Sequence, residues 1–275
     1  MPRRQKRIAL VNDITGFGRC SIAAELPLIS AMQIQACPLP TAILSVHTGF
    51  PDYYLDDFTE QLPDYITSWE KNHLTFDGIA TGFLGSATQI TLVRDFIRRF
   101  RTQATRVMVD PVMGDHGKLY ASYTPAMCAR MGELVALADL VTPNLTEACQ
   151  LLGMAYPAGG QCSESDLAYM AAGLAELGPA QVVITGLSSG DQVGNYLYEA
   201  GQGSLQYQPR VGGDRSGSGD VFAGIVAASL VRGDTLRAAV ERAAAFIAKC
   251  MAYAEELDLP WNYGLPFEQF LTELK

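Results

Sequence analysis

Long apolar runs are absent from this sequence of 275 residues. No uninterrupted stretch reaches the roughly 18 residues needed to span a bilayer, and the start of the chain has no apolar signal-peptide core. The six cysteines include no C-x-x-C pair, which favours reduced thiols over a disulfide framework or a zinc site. We therefore expect a soluble, cytoplasmic protein with no membrane partner.

Positive charge is also scarce. The chain has 20 Lys and Arg against 29 Asp and Glu, which gives a net charge of −9. Such a surface repels phosphate backbones and anionic lipid. A nucleic-acid partner is therefore not expected.

Two common catalytic motifs are missing. Without G-x-x-x-x-G-K-[ST] the chain is not a P-loop kinase, and without G-x-S-x-G a hydrolase is disfavoured. The sequence is 48% hydrophobic and contains no low-complexity linker. This composition predicts one domain over residues 1–275 with a sizeable core.

Apolar runs alternate with helical patterns along the chain, which predicts an α/β fold with a mostly parallel sheet. The first strand is predicted at Arg7–Val11, followed by a loop over Asn12–Gly18, and a helix is predicted from about Leu55 to Lys71. Late in the chain, Val193–Glu199 and Ser204–Gln208 alternate around a glycine turn. This pattern predicts an antiparallel hairpin at the sheet edge.

A glycine run from Val211 to Asp220 leads directly into an apolar helix. The first-turn amides of Gly217, Ser218 and Gly219 would favour an anion, because they lack helical partners and lie at the positive helix end. Asp220 would repel that anion unless it acts on a neighbouring hydroxyl as a general base. The alternative is that Ser218 or Asp220 only caps the helix.

Polar residues also follow other predicted strands. Asp110 comes after the strand Arg106–Val109 and is fixed by the following proline, so it could meet a magnesium ion or a nucleotide phosphate; a solvated turn is the alternative. Thr185 ends a later strand at the same sheet edge. Asn144 and Glu147 lie three residues apart and can face one space, although this spacing is also that of a capping box.

Two ring-bearing residues complete the candidates. His47 is one of only three histidines and has no obvious catalytic partner, which favours a ring-contacting or structural role over direct chemistry. Phe83 is flanked by glycines and either belongs to the core or lies against a flat ligand ring.

Six motifs taken together resemble the pyridoxal kinases, the vitamin B6 branch of the ribokinase-like kinases. They are N-D-I-T-G-F-G at 12–18, H-T-G at 47–49, T-G-F at 81–83, D-P-V-M-G-D at 110–115, T-P-N-L-T-E at 142–147 and G-S-G-D at 217–220. The resemblance implies a three-layer αβα fold without a large lid. It also implies a homodimer that uses ATP and Mg²⁺, and it leaves the need for a monovalent cation such as K⁺ open.

The resemblance also implies roles for individual residues. Asp220 would be the catalytic base at the substrate hydroxyl, and Gly217, Ser218 and Gly219 would form an anion hole that also contacts ATP. The ATP phosphates and magnesium would be surrounded by Asp110, Asn144 and Glu147, with Asp110 and Glu147 nearest the metal and Thr185 close by. The pyridine ring would be lined by Asn12, His47, Thr48 and Phe83. Asn12 and Phe83 depart from the family, which often has Ser and Tyr there.

The expected reaction is transfer of the ATP γ-phosphoryl group to the hydroxymethyl oxygen of pyridoxal, pyridoxine or pyridoxamine. A hydroxymethylpyrimidine kinase of thiamine synthesis is the main alternative, although its usual serine- and glycine-rich first loop is a poor match to Asn12–Thr15. A sugar kinase would need a longer lid insertion. A non-catalytic nucleotide or vitamin sensor is a further alternative, against which the intact Asp220, Asp110 and Glu147 stand.

Overall fold

Residues 4–275 are described by a computed structural model, in which short apolar runs form strands and the segments between them form helices. The strands are β1 (Arg7–Thr15), β2 (Gln35–Leu44), β3 (Leu55–Asp57), β4 (Gly78–Thr81), β5 (Arg106–Val109), β6 (Gly114–Asp115), β7 (Lys118–Leu119), β8 (Leu140–Val141), β9 (Gln181–Ser189), β10 (Gln192–Glu199) and β11 (Gln202–Pro209). The helices are α1 (Ser21–Ala31), α2 (Leu62–Lys71), α3 (Ala87–Phe100), α4 (Pro125–Val135), α5 (Leu145–Leu152), α6 (Glu164–Glu176), α7 (Ser218–Arg232) and α8 (Leu236–Glu256). Short 3₁₀ turns occur at Ala158–Gly160, Trp261–Tyr263 and Glu268–Leu274.

The chain divides into two units. The first unit runs to Gly82 and resumes with Phe100–Arg106 and Val211–Lys275, and the second unit comprises Phe83–Arg99 and Val107–Arg210. The expectation of a single domain over residues 1–275 stays a prediction.

Strand β1 is the centre of the sheet in the first unit. It pairs in parallel with β2 on one side and β4 on the other, and β3 adds to β2 in the antiparallel sense. Residues 8–11 of β1 have no exposed surface. Helix α1 packs on β1, β2 and α7, and residues 221–229 of α7 are buried throughout, as expected for a helix that is apolar on all sides.

The second unit combines parallel and antiparallel pairs. Strand β8 pairs in parallel with β5 and β9, and β9, β10 and β11 continue as antiparallel neighbours. The late hairpin predicted from the alternating pattern is therefore confirmed. A single parallel bridge between Asn144 and Thr185 extends the pairing beyond the ends of β8.

Two sequence-based assignments are wrong. The predicted loop over Asn12–Gly18 is a strand up to Thr15, because Ile14 and Thr15 pair with Ile43 and Leu44 after a register shift that accommodates the polar residues. The predicted helix from Leu55 begins only at Leu62, where Pro63 stands in the first turn. Residues 55–57 instead pair with β2.

None of the helices in residues 4–275 combines the length and the apolar composition that crossing a bilayer requires. All six cysteines are free thiols, and Cys20, Cys128, Cys149 and Cys250 are buried.

Close packing between α1 and α7 generates a stability prediction at Gly224. A Cβ atom there would lie 3.3 Å from the Cα atom of Glu25, so the γ-methyl groups of Gly224→Val would overlap α1. We expect this substitution to lower the free energy of unfolding by about 1–3 kcal/mol. Chemical denaturation measures the change. Gly132→Val in α4 is the matched control, because its Cβ has open space; equal losses in both variants would contradict the packing explanation.

Candidate active site

The glycine run ends at the N-terminus of α7. Gly217 is the N-cap residue, with a φ of 76°, and the amide of Val221 makes the first helical bond, 2.9 Å to the Gly217 carbonyl. The amides of residues 218–220 therefore belong to the open first turn, where the helix dipole is positive. The Ser218 amide makes only a long contact, 3.4 Å to the Arg215 carbonyl. This geometry is that of an anion-binding helix terminus.

Gly217 also lies directly against the loop that follows β1. A Cβ atom at this position would be 2.1 Å from the carbonyl oxygen of Arg19 and 3.0 Å from the Cα atom of Cys20. Only glycine satisfies both this close approach and the positive φ. The start of α7 and the start of α1 are therefore in backbone contact.

The end of α8 and the chain that follows it anchor both of these loops. Arg215 donates to the Leu259 carbonyl at 2.8 Å and to the Glu255 carboxylate at 2.9 Å. Arg19 donates to the Glu268 carboxylate at 2.6 Å and to the Tyr263 carbonyl at 3.0 Å. The segment 255–268 thus fixes the two loops that meet at Gly217.

Asp220 lies in the first turn of α7 and receives hydrogen bonds from two other segments. The Asn12 amide group donates to its Oδ1 atom at 3.3 Å, and the backbone amide of Ser21 donates to the same carboxylate. Burial, and to a smaller extent the nearby charge of Asp13, raise the pKa of Asp220 to about 6, while these hydrogen bonds oppose the shift. A carboxylate with a pKa near 6 is suited to accept a proton near neutral pH.

Asn12 is buried in β1, and both ends of its side chain are engaged within the protein. Its Nδ2 atom lies 3.3 Å from carboxylate oxygens of both Asp220 and Glu25, and its Oδ1 atom accepts from the Asp13 amide at 3.0 Å. Gly82 packs against the same side chain, where a Cβ atom would lie 2.4 Å from Nδ2. The structure therefore brings Asn12 to Asp220, as an orienting group for the carboxylate.

Asp13 is a buried acid of this cluster that the sequence analysis did not single out. Its two carboxylate oxygens accept from Ser21 Oγ at 2.6 Å and from Thr15 Oγ1 at 2.7 Å. Burial raises the pKa of Asp13, against these hydrogen bonds. Two adjacent polar residues in an otherwise apolar strand, and Glu25 in the apolar helix α1, were the available sequence signals for a buried polar cluster.

His47 is fixed by backbone groups in the first unit. Its Nδ1 atom accepts from the Gly49 amide at 3.1 Å, so the proton of the neutral ring is assigned to Nε2, which lies 2.8 Å from the Asn262 carbonyl. Its ring packs edge-on against Phe50 with centroids 4.9 Å apart. These contacts fix the orientation of the His47 ring, and the neighbouring Thr48 is exposed.

A second acid-containing group lies in the second unit, around the N-terminus of α5. Glu147 accepts from the Asn144 amide at 2.8 Å and from the Met113 amide at 3.0 Å. Asn144 Oδ1 in turn accepts from the Glu147 amide at 3.0 Å, which completes the capping box considered above. Glu147 is buried, and burial together with the charge of Asp110 raises its pKa.

Both ends of the Asn144 side chain are hydrogen-bonded within the second unit. Its Nδ2 atom donates to the Gly114 carbonyl at 2.8 Å, so its side chain holds the hairpin of β6 and β7. Thr185 is half-buried beside it, and the Thr185 amide donates to the Pro143 carbonyl at 2.9 Å. Asn144 and Thr185 therefore lie together, as predicted from their positions after neighbouring strands.

Asp110 is half-buried directly after β5, close enough to Glu147 for their charges to interact. Within residues 4–275, no three acidic, histidine or cysteine side chains converge on a complete metal site. Two carboxylates this close together suit a magnesium ion that takes its remaining ligands from nucleotide phosphates and water. The residues fit magnesium in that form.

Phe83 is half-buried in the second unit. Its ring meets that of Tyr123 edge-on, with centroids 6.1 Å apart. The Tyr123 hydroxyl accepts from the Leu84 amide at 3.3 Å, and burial raises the pKa of this phenol. Of the two rings, only that of Phe83 is partly exposed, and an exposed aromatic ring suits contact with a flat ligand ring.

Similarity to solved structures defines the class of protein. Pyridoxal kinase from Lactobacillus plantarum matches with a TM-score of 0.91 and 28% identity, over 98% of this chain and 97% of that chain. A protein from Bacteroides thetaiotaomicron that is assigned as a phosphomethylpyrimidine kinase, in a crystal form with pyridoxal, matches with a TM-score of 0.95 and 36% identity, over 98% and 96%. The predicted ribokinase-like αβα fold, with a mostly parallel sheet, is confirmed.

The phosphomethylpyrimidine kinase family model matches residues 18–262, and the chain belongs to this family. Curated relatives include pyridoxal kinase from Arabidopsis thaliana, 32% identical over 178 residues that cover 62% of this chain, and a hydroxymethylpyrimidine/phosphomethylpyrimidine kinase from Mycobacterium tuberculosis, 29% identical over 91% of this chain and 90% of that protein. The chain spans about half the length of four of its curated relatives, from 46% to 56%. The relatives thus include kinases named for two different ring substrates.

The contact at Gly217 generates the second prediction. Gly217→Ala adds a strained positive φ and forces the Arg19 carbonyl away, so we expect a loss of about 3 kcal/mol or more in the free energy of unfolding. Gly201→Ala is the matched control, since its φ is 79° but its Cβ position is open; strain alone should cost about 1 kcal/mol there. Denaturation of both variants measures the difference, and similar losses would show that the contact with Arg19 is unimportant.

Proposed function

We propose that the protein is an ATP-dependent kinase that phosphorylates the hydroxymethyl group of a vitamin B6 compound: pyridoxal, pyridoxine or pyridoxamine. The observation that carries this proposal is Asp220, a carboxylate with a pKa of about 6 held in the first turn of α7 beside open amides. A base and an anion site on adjacent residues suit transfer of a phosphoryl group to an alcohol.

In the proposed reaction Asp220 accepts the proton of the substrate hydroxyl. The hydroxyl oxygen then bonds to the γ-phosphorus of ATP as the bond to the β-phosphate oxygen breaks, and ADP leaves. The amides of Gly217, Ser218 and Gly219 stabilise the negative charge of the moving phosphoryl group. Asn12 and the Ser21 amide keep the carboxylate of Asp220 in one orientation.

The residues of the second unit are proposed to serve the nucleotide. Asp110 and Glu147 would hold magnesium, which supplies neutralisation of the phosphate charges when bound. Both Glu147 oxygens also accept backbone hydrogen bonds, from the amides of Met113 and Asn144. In addition to its proposed role toward magnesium, Glu147 therefore fixes the loop that follows Asp110. Asn144 fixes the adjoining hairpin, and Thr185 lies beside it.

Two relatives support a B6 compound as the acceptor. The Bacteroides thetaiotaomicron protein, with 36% identity over nearly the whole chain, was crystallised with pyridoxal, and the Lactobacillus plantarum protein is a pyridoxal kinase. His47 and Thr48 of the first unit are proposed to contact the acceptor ring, and Phe83 of the second unit is a separate candidate for ring contact. The family model and the Mycobacterium tuberculosis relative favour the second candidate, a hydroxymethylpyrimidine kinase.

A cytoplasmic homodimer is part of the proposal. Large exposed apolar side chains occur around β2 and β3 in the first unit, namely Ile43, Tyr53, Tyr54 and Leu55. Exposed apolar patches of this kind favour association of protein surfaces. The mass of the purified protein in solution tests this part.

The third prediction concerns Asp220 and the acceptor. With ATP and Mg²⁺, we expect rapid ADP release on at least one B6 compound, and a loss of at least about 100-fold in turnover for Asp220→Ala, because no other group replaces the base. A coupled assay with pyridoxal, pyridoxine, pyridoxamine and hydroxymethylpyrimidine measures both. Asp191→Ala, at an exposed turn before β10, is the control and should retain activity.

Each other outcome points to a different function. Turnover on hydroxymethylpyrimidine alone would replace the B6 proposal with the second candidate and keep the role of Asp220. No turnover on any of the four acceptors, with ATP binding intact, would favour a sensor. Near-normal turnover in Asp220→Ala would remove Asp220 from the mechanism.

The raised pKa of Asp220 generates the fourth prediction. A base acts only when deprotonated, so kcat/KM should be constant above the pKa and fall about tenfold per pH unit below about pH 6. Initial rates between pH 5 and 8 test this, with circular dichroism to verify that the protein stays folded. A profile without a change between pH 5 and 7 would contradict Asp220 as the base.

A further inference from the structure

We propose that Asp13 and Ser21 are a positioning pair, which ties the strained start of α1 to β1 so that the Ser21 amide stays directed at the Asp220 carboxylate. This inference rests on the proposed function, in which Asp220 is the base. Neither residue is assigned a contact with the substrate. Their role is to act through Asp220.

The backbone that leads into α1 is strained. Arg19 has a φ of 50° and Ser21 a φ of 54°, and both are non-glycine residues in the left-handed region. This conformation costs free energy for any residue with a Cβ atom. Two such residues on either side of Cys20 persist only if surrounding contacts hold them.

Asp13 supplies one of those contacts. Ser21 Oγ donates to Asp13 Oδ1 at 2.6 Å, and Thr15 Oγ1 donates to the other carboxylate oxygen at 2.7 Å. Asp13 and Ser21 are 4% and 6% exposed, so water does not compete for these bonds. Asp13 lies on β1, the central strand of the first unit, which is a rigid support for the pair.

Ser21 therefore links β1 to α7. Its hydroxyl is held by β1, and its amide donates to Asp220 on α7. Loss of the hydroxyl would release the strained residue to relax toward a negative φ, which rotates the amide. The carboxylate of Asp220 would then lose a donor that favours its charged form.

The charge of Asp13 acts in the opposite sense. From β1, Asn12 and Asp13 face Asp220, and at the start of α1 Cys20 and Ser21 face it. Glu25 of α1 is linked to Asp220 indirectly, because Asn12 donates to both carboxylates. Burial and the charges of Asp220 and Asp13 raise the pKa of the Cys20 thiol, which stays neutral. Asp13 is thus an anchor for Ser21 and also a negative charge close to the base.

These two effects can be separated by two substitutions. Ser21→Ala removes the anchoring hydroxyl and keeps the charge of Asp13, so the acidic limb of kcat/KM should move up by about half a pH unit or more and kcat should fall about tenfold. Asp13→Asn keeps an oxygen for the Ser21 hydroxyl and removes the charge. Its acidic limb should move down by about half to one pH unit.

Ser229→Ala is the matched control in the same unit. Ser229 is fully buried, lies far along α7 from Asp220 and accepts a hydrogen bond from Arg242 at 2.6 Å. Loss of its hydroxyl should lower the thermal midpoint of unfolding without moving the acidic limb of the kcat/KM profile. If Ser21→Ala does not fold, Ser21→Gly replaces it, because glycine removes the same hydroxyl without adding strain and leaves the backbone at residue 21 free to rotate away from Asp220. In Ser21→Gly the acidic limb of the kcat/KM profile should still move to higher pH.

Titration of the Asp220 carboxyl carbon by ¹³C NMR, assigned with Asp220→Asn, follows the same shifts without any turnover. Opposite shifts for Ser21→Ala and Asp13→Asn, with none for Ser229→Ala, would support the positioning pair. Shifts in the same direction, or no shift, would overturn it. An inactive wild-type protein would refute the proposed function, while the NMR titration would still decide on the pair.

Discussion

A half-buried carboxylate beside a second acid needs hydrogen bonds from the protein to carry its charge, and the first unit is arranged around this requirement at Asp220. Asn12 supplies one donor from the central strand, and Ser21 supplies a backbone amide from the start of α1. These donors do not fully offset burial and the charge of Asp13, which is why the pKa of Asp220 is near 6. The same imbalance makes the carboxylate a usable base near neutral pH.

The donors can reach Asp220 only if two loops distant in sequence meet. Gly217 permits the contact, because any side chain there would overlap the Arg19 carbonyl. Arg19 and Arg215 secure the loops through bonds to the end of α8 and the chain that follows it. His47 joins that segment through the Asn262 carbonyl. The terminal part of the first unit therefore contributes to the site by fixing the backbone of the two loops. It does so largely through its own backbone carbonyl groups, so a shift of this backbone would disturb the site more than a change of side chain.

Much of this arrangement could be predicted, and the missed parts share a physical cause. The alternation of strands and helices and the G-S-G-D motif are local patterns, so they predicted the fold and selected Asp220 and the residues after the strands as candidates. The strand state of Asn12 and Asp13 depends on pairing with β2, which local sequence does not encode. Asp13, Ser21 and Glu25 matter through side-chain bonds that span 8 and 13 positions in sequence, and the bond from Asn12 to Asp220 spans 208 positions. The capping box at Asn144 and Glu147 was predicted as one of two alternatives, since its spacing serves both.

The side chain of Asn12 is fully hydrogen-bonded within the protein, which makes the orientation of the base independent of the identity of the substrate. Its amide group is engaged by Asp220, Glu25 and the Asp13 backbone, so a change of acceptor ring need not alter the groups that orient the base. Ring contacts would then come from other positions, such as the exposed Thr48 and the half-buried Phe83, which can change without disturbing the buried cluster. A family whose members are named for both pyridoxal and hydroxymethylpyrimidine is what such a division allows. In the proposed mechanism, the groups that orient the base therefore lie in the core of the first unit, and the ring contacts are free to vary outside that core.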